Sequence, residues 1–322
     1  MRSIRVCPLV LILVSAPLLS GQAGPREQRE QLAQALALER DGRAEQAIAA
    51  LRALLDSQSL DPHGRGQAWD ILGLTYRDLG NFADAQHAFE QSIHILERSP
   101  NNTRDYAMAL DNFGGLLLAM GQSDAADRMK RKALRIYEKT NDHTGIAIAS
   151  SDLAGLAFSQ GRVRRGRKYL KRARKEAQLA SDLDDDDLAA ISSMQGWLAL
   201  LDRDVAATVA AYQHSLDLWR TRHGEEHPST GWGYVLFGNA KAQAGELSSA
   251  LADMQKGLAI LDRTRGRQDA RYWKAEVACS IVLDRTGART EAARMRTDAE
   301  RELQDLRRGQ CSACTVSVAA LR

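Results

Sequence analysis

A residue that breaks helical spacing, usually glycine and followed five positions later by a small side chain, returns along this chain at a nearly constant interval. It stands at Gly42, Gly80, Gly121, Gly161, Gly245 and Gly287, with Arg203 in the same phase, at intervals of 38, 41, 40, 42, 42 and 42 residues. A chain that repeats one such unit does not enlarge a single core. It stacks units along an axis, each burying its faces on its neighbours, and about three are needed for stability. Each turn separates two stretches with apolar residues at helical spacing, clearest at Trp69, Leu72, Gly73 and Tyr76 before Gly80 and at Ala85, Phe89, Ser92 and Ile93 after it. The unit is therefore a helical hairpin. With 6 prolines in 322 residues and 5% aromatics, the composition favours helices over long sheets.

Three columns of small residues fix how the helices cross. Seven positions before the turns stand Ala35, Gly73, Gly114, Ala154, Gly196, Gly238 and Ser280; five after them, Ala47, Ala85, Ala126, Gly166, Thr208, Ala250 and Ala292. Twelve after them stand Leu54, Ser92, Ala133, Ala173, Ser215, Gly257 and Ala299, of which only Leu54 is bulky. Two helices approach to about 8 Å only where the side chains at the crossing are small. Larger neighbours, Leu51, Phe89, Leu170, Tyr212 and Met254, fill the flanking grooves.

The run Trp69, Leu72, Gly73, Tyr76, Gly80, Ala85 and Phe89 resembles a tetratricopeptide repeat, and weaker copies cover most of residues 28–307. The ordinary unit is about 34 residues. The longer spacing here is similar to the subclass found in kinesin light chain, as is the His-Pro turn in Glu226-His227-Pro228-Ser229-Thr230. The resemblance implies an all-α, right-handed superhelical solenoid of about seven hairpins, near 28–61, 66–100, 107–141, 147–181, 189–223, 231–265 and 273–307. The fifth and seventh copies depart most, with Arg203 in one turn and Arg296 at an apolar position, and the seventh reads as a polar end cap.

The ends read differently. Arg2 and Arg5 precede an apolar run from Val6 to Leu19, and Gly21 and Ala23 offer a cleavage point before Gly24. Residues 1–23 are expected to be a signal peptide, which places the chain outside the cytoplasm, periplasmic or secreted in a bacterium. No other segment reaches the roughly 20 apolar residues of a spanning helix. The tail, 308–322, carries Cys311 and Cys314, a spacing compatible with a local disulfide in an exported chain, with free thiols or with redox or metal chemistry. Cys279 falls on the packed face of the seventh copy.

Chemistry is hard to find. There is no phosphate-binding GxxxxGK[ST], no GxSxG elbow and no HExxH helix. His87 and His94 share a helix face about 10 Å apart, too far for one metal. The expectation is a non-catalytic chain without cofactor or metal. Its net charge of +3 gives no footprint for nucleic acid. One basic run, Arg162 to Lys175, is followed by Asp182, Asp184, Asp185, Asp186 and Asp187; it reads as a solvated outer face partly neutralised by those aspartates.

In tetratricopeptide solenoids the first helix of each hairpin lines the inner curve. That resemblance places Asp70, Arg77, Asp111, Asn112, Asp152 and Asn239 in a peptide-binding groove, with Asn112 where groove asparagines of kinesin-light-chain-like repeats hold a peptide backbone. Asp152 stands at the equivalent place in the fourth copy and, ionised, can only accept. The leading expectation is an exported scaffold that binds a peptide or protein partner in its concave groove. The alternatives are a structural subunit of an envelope assembly using its convex face, and an enzyme.

Overall fold

The computed structural model describes residues 25–57, 60–98, 103–264, 266–267 and 269–311. Among them fourteen helices and no strand form seven hairpins: α1 (Pro25–Arg40) with α2 (Ala44–Asp56), α3 (Pro62–Asp78) with α4 (Phe82–Glu97), α5 (Thr103–Ala119) with α6 (Ser123–Thr140), α7 (His143–Ser159) with α8 (Val163–Ala177), α9 (Asp185–Leu201) with α10 (Val205–His223), α11 (Pro228–Gln243) with α12 (Leu247–Thr264), and α13 (Ala270–Arg285) with α14 (Arg289–Cys311). The fold is an all-α solenoid. The expected signal peptide and Cys314, and with it the Cys311–Cys314 pairing, lie outside the described residues.

The turns explain the periodic glycines. All six have positive φ, from 69° at Gly161 to 98° at Gly287, and Arg203 adopts the same left-handed backbone at 59°. At Gly80 the chain reverses through Gly80 N–H to the Arg77 carbonyl and Asn81 N–H to the Tyr76 carbonyl; at Arg203 the same two bonds run to Leu200 and Ala199. The left-handed conformation costs an L side chain about 1–2 kcal/mol, which glycine does not incur. Arg203→Gly is therefore expected to stabilise the protein by about 1 kcal/mol. Thermal melting checks this, and an unchanged or lower Tm would mean that the arginine side chain offsets its own strain.

The small columns are where the helices touch. Every member of all three is buried except Leu54, the bulky one, which remains partly exposed. The column before the turn faces the large residues nine positions after it. A Cβ added at Gly73 would stand 2.8 Å from the Phe89 ring, one at Gly196 2.8 Å from Tyr212, and one at Gly238 2.5 Å from Met254. At Gly114 the facing group is Lys130, 2.8 Å from an added Cβ. Cys279 is buried, as its place on the packed face of the seventh copy implies. The fifth hairpin is held partly by hydroxyls: Ser193 Oγ lies 2.7 Å from Ser215 Oγ, which donates to the Ala189 carbonyl, and Ser192 Oγ donates to the Ala211 carbonyl.

Small rotations between hairpins accumulate until the solenoid meets itself. The end of α1 reaches the starts of α9 and α11: Arg40 pairs with Asp184 at 3.8 Å, and within the fifth hairpin Arg222 also pairs with Asp184 at 3.6 Å and His223 Nε2 lies 2.7 Å from Asp186. His227 caps α11 by accepting the Ser229 N–H at Nδ1. Its Nε2 then donates to the Arg40 carbonyl at 3.1 Å, and its ring stacks on His223 with centroids 3.9 Å apart. This seam joins segments 187 residues apart.

Candidate functional site

The inner face of the curve carries a cavity of about 560 Å³. Successive first helices build it. α1 supplies Leu32 and Leu36, α3 supplies Asp70 and Ile71, α5 supplies Asp111 and Asn112, α7 supplies Thr144 and Ile148, and the start of α9 supplies Asp184, Asp186 and Asp187. Three of the predicted groove residues, Asp70, Asp111 and Asn112, therefore meet in one cavity.

Asp70 is 3% exposed. Asn112 Nδ2 donates to its Oδ2 at 2.8 Å, so the amide expected to hold a peptide backbone orients a carboxylate. Its other oxygen, Oδ1, is buried with no hydrogen-bond partner among the described residues. Burial drives its pKa up from 3.8 to about 7, against the hydrogen bond from Asn112 and with help from the like charge of Asp105.

Asp111 and Asp152 are drawn together by a residue that the sequence reading passed over. Lys130 leaves α6 above Gly114 and is only 2% exposed. Its Nζ donates to Asp111 Oδ1 at 3.2 Å, to the Asp111 carbonyl at 3.1 Å, and to Asp152 Oδ2. Burial opposes its charge, but the two carboxylates outweigh that and raise its pKa. Burial likewise raises Asp111, with Lys130 pulling the other way. The signal was present in the sequence, because Lys130 is a charged residue at the position where Leu51, Phe89, Leu170, Tyr212 and Met254 are large and apolar or aromatic.

The remaining predicted residues are elsewhere. Asp152 reaches Lys130 but does not line this cavity. Arg77 points its guanidinium at Asp78, at 2.9 and 2.8 Å, beside a smaller cleft shared with Asp269 and Arg271 of α13. Asn239 sits half-buried on α11, away from both.

The aspartates after the basic run turn inward, contrary to the sequence reading. Arg104 of α5 pairs with Asp182 at 2.9 Å and with Asp142 at 3.0 Å, while Asp184 and Asp186 belong to the seam. The basic helix is neutralised instead by Asp127, Glu138 and Asp202, which pair with Arg165, Arg172 and Arg167. The reason is phase. α8 buries Gly166, Leu170, Ala173 and Glu176 and exposes most of its basic residues, whereas the aspartates open the next first helix, where Asp184 caps it by accepting the Asp186 and Asp187 N–H groups. Among the described residues no group of three or more His, Cys, Asp or Glu could hold a metal ion, and no helix is long and apolar enough to cross a membrane.

A curved stack of helical hairpins with a polar cavity on its inner face defines an α-solenoid of the repeat class. Residues 64–139 match the family model of the tetratricopeptide repeat, so this stretch of the solenoid is built of tetratricopeptide repeats. Solved structures of similar fold include the apo form of RapI (12% identity, TM-score 0.62, covering 87% of this chain and 99% of that one). The Rap conjugation gene regulator of plasmid pLS20 in complex with the Phr* peptide is also similar (13%, TM-score 0.65, 95% and 83%). So is a Rap protein complexed with Competence and Sporulation Factor (13%, TM-score 0.62, 87% and 78%). No curated protein matches this sequence.

Proposed function

We propose that this chain is an exported, non-catalytic adaptor that binds an extended peptide segment of a partner protein along its inner groove. The observation that carries this reading is the 560 Å³ cavity, lined by five successive first helices and combining apolar walls with fixed polar groups. The pLS20 regulator of similar fold binds the Phr* peptide, which supports a peptide occupant over a small metabolite. Export rests on Arg2, Arg5 and the apolar run that follows them. The long unit and the His227-Pro228 turn support placement near the kinesin-light-chain subclass.

Crosslinking in the native host, followed by capture with wild type and with Asp70→Ala plus Asn112→Ala, tests the function. The groove reading expects the double variant to lose the partner captured by wild type. Retention by the double variant would favour an assembly subunit docked through its outer face. Fractionation tests export: a mature N-terminus near Gly24 is expected, and full-length protein in the cytoplasm would remove the claim.

A further inference from the structure

Asp70 lines the cavity, and its Oδ1 is buried with no hydrogen-bond partner among the described residues. A carboxylate oxygen left so is costly, and its surroundings increase the cost. Asp105 and Asp111 of α5 act on Asp70 as like charges, and the opposing charge of Arg77, on its own helix, is committed to Asp78. The cavity as a whole is lined by six aspartates, at 70, 111, 182, 184, 186 and 187, against three arginines, at 29, 40 and 104. Arg40 pairs with Asp184 and Arg104 with Asp142 and Asp182, while Asp111 is held by Lys130, and Asp184 and Asp186 also meet Arg222 and His223.

Resting on the groove reading above, we propose that the cavity receives a lysine or arginine side chain of the bound segment, with its cationic head on the Asp70 carboxylate. Leu32, Leu36, Ile71 and Leu74 line the same cavity and suit the methylene stem of such a side chain. The head supplies the missing donor and a charge opposite to that of Asp70. Binding also drives a proton off Asp70, which otherwise holds one up to a pH of about 7. Affinity therefore rises as pH is raised from 5.5 to 8.

A random dodecapeptide display library selected on the folded protein at pH 8, with synthetic copies of the winners measured by fluorescence anisotropy, tests the proposal. The winners are expected to share a lysine or arginine. Replacing it by glutamine costs about ten- to hundredfold in Kd, the range of a charge-assisted hydrogen bond. Asp70→Asn loses a similar factor, adds little to the loss from the altered peptide, and weakens the pH dependence, leaving the part that Asp111 and Asp187, both raised to about 6 in the same cavity, contribute. The variant is expected to fold, because the amide keeps an oxygen for Asn112 and removes a buried charge; its Tm should rise, by more at pH 8 than at pH 5. Groove-bound winners without a shared cation, or with affinity unmoved by Asp70→Asn, overturn the cationic subsite and leave the groove reading standing. If nothing is selected, or the winners still bind when Leu36→Arg and Ile148→Arg block the cavity, both fail.

Discussion

Lys130→Met is expected to destabilise the protein by about 3–5 kcal/mol at neutral pH, the cost of leaving a buried charge without its partner. The lysine is 2% exposed and Asp111 is 7% exposed, so neither can turn to water when the other is removed. Asp152 is exposed and loses little. The loss depends on pH in a definite direction. Burial raises the pKa of Asp111 in the folded protein, and without Lys130 it rises further. An acid whose folded pKa lies above its unfolded value penalises folding above the unfolded pKa, and that penalty shrinks as pH falls. Denaturation of Lys130→Met should therefore show a smaller deficit at pH 5 than at pH 8. Adding Asp111→Leu is expected to recover most of the loss, since replacing both partners by apolar groups is often near neutral. A single variant that melts like wild type at pH 8 would show that the triad is solvated.

Gly238→Leu is the second large effect, expected to cost about 3 kcal/mol or more, at or beyond the upper end of ordinary overpacking. An added Cβ would lie 2.5 Å from Met254 Cγ and 2.7 Å from the Ala250 carbonyl. The methionine can move, but the carbonyl belongs to the backbone of α12 and cannot move without shifting the helix. Gly73→Leu should cost less, about 1–3 kcal/mol, because the three atoms nearest the Cβ there all belong to the Phe89 side chain rather than to backbone. Urea denaturation of both variants separates the two cases. If the order were reversed, the α3–α4 crossing would be the tighter one.

The hairpins were legible because close crossing leaves a mark that spacing alone can show: small residues recur at fixed offsets, and even Leu54 marks the one place where the contact loosens. The αL turns were legible for the same local reason. Side-chain partners were less so. Asn112 and Asp70 are 42 residues apart and meet because α3 and α5 stack; nothing in either helix alone says that the amide will serve the carboxylate. Asp182 to Asp187 were assigned to the preceding basic helix by proximity in sequence. Phase decides otherwise, since the outward α8 and the inward start of α9 face opposite sides. The seam depends on rotation summed over five hairpins, which no local pattern encodes.

That seam changes what the molecule is mechanically. An open coil lengthens under small loads and lets a strand enter from the side anywhere along it. Here Arg40, through Asp184 and His227, ties the first hairpin to the fifth and sixth. On the groove reading proposed above, a polypeptide held inside passes behind that joined edge. How long it stays is then governed by the frequency with which that edge lets go as well as by the strength of its contacts with the wall.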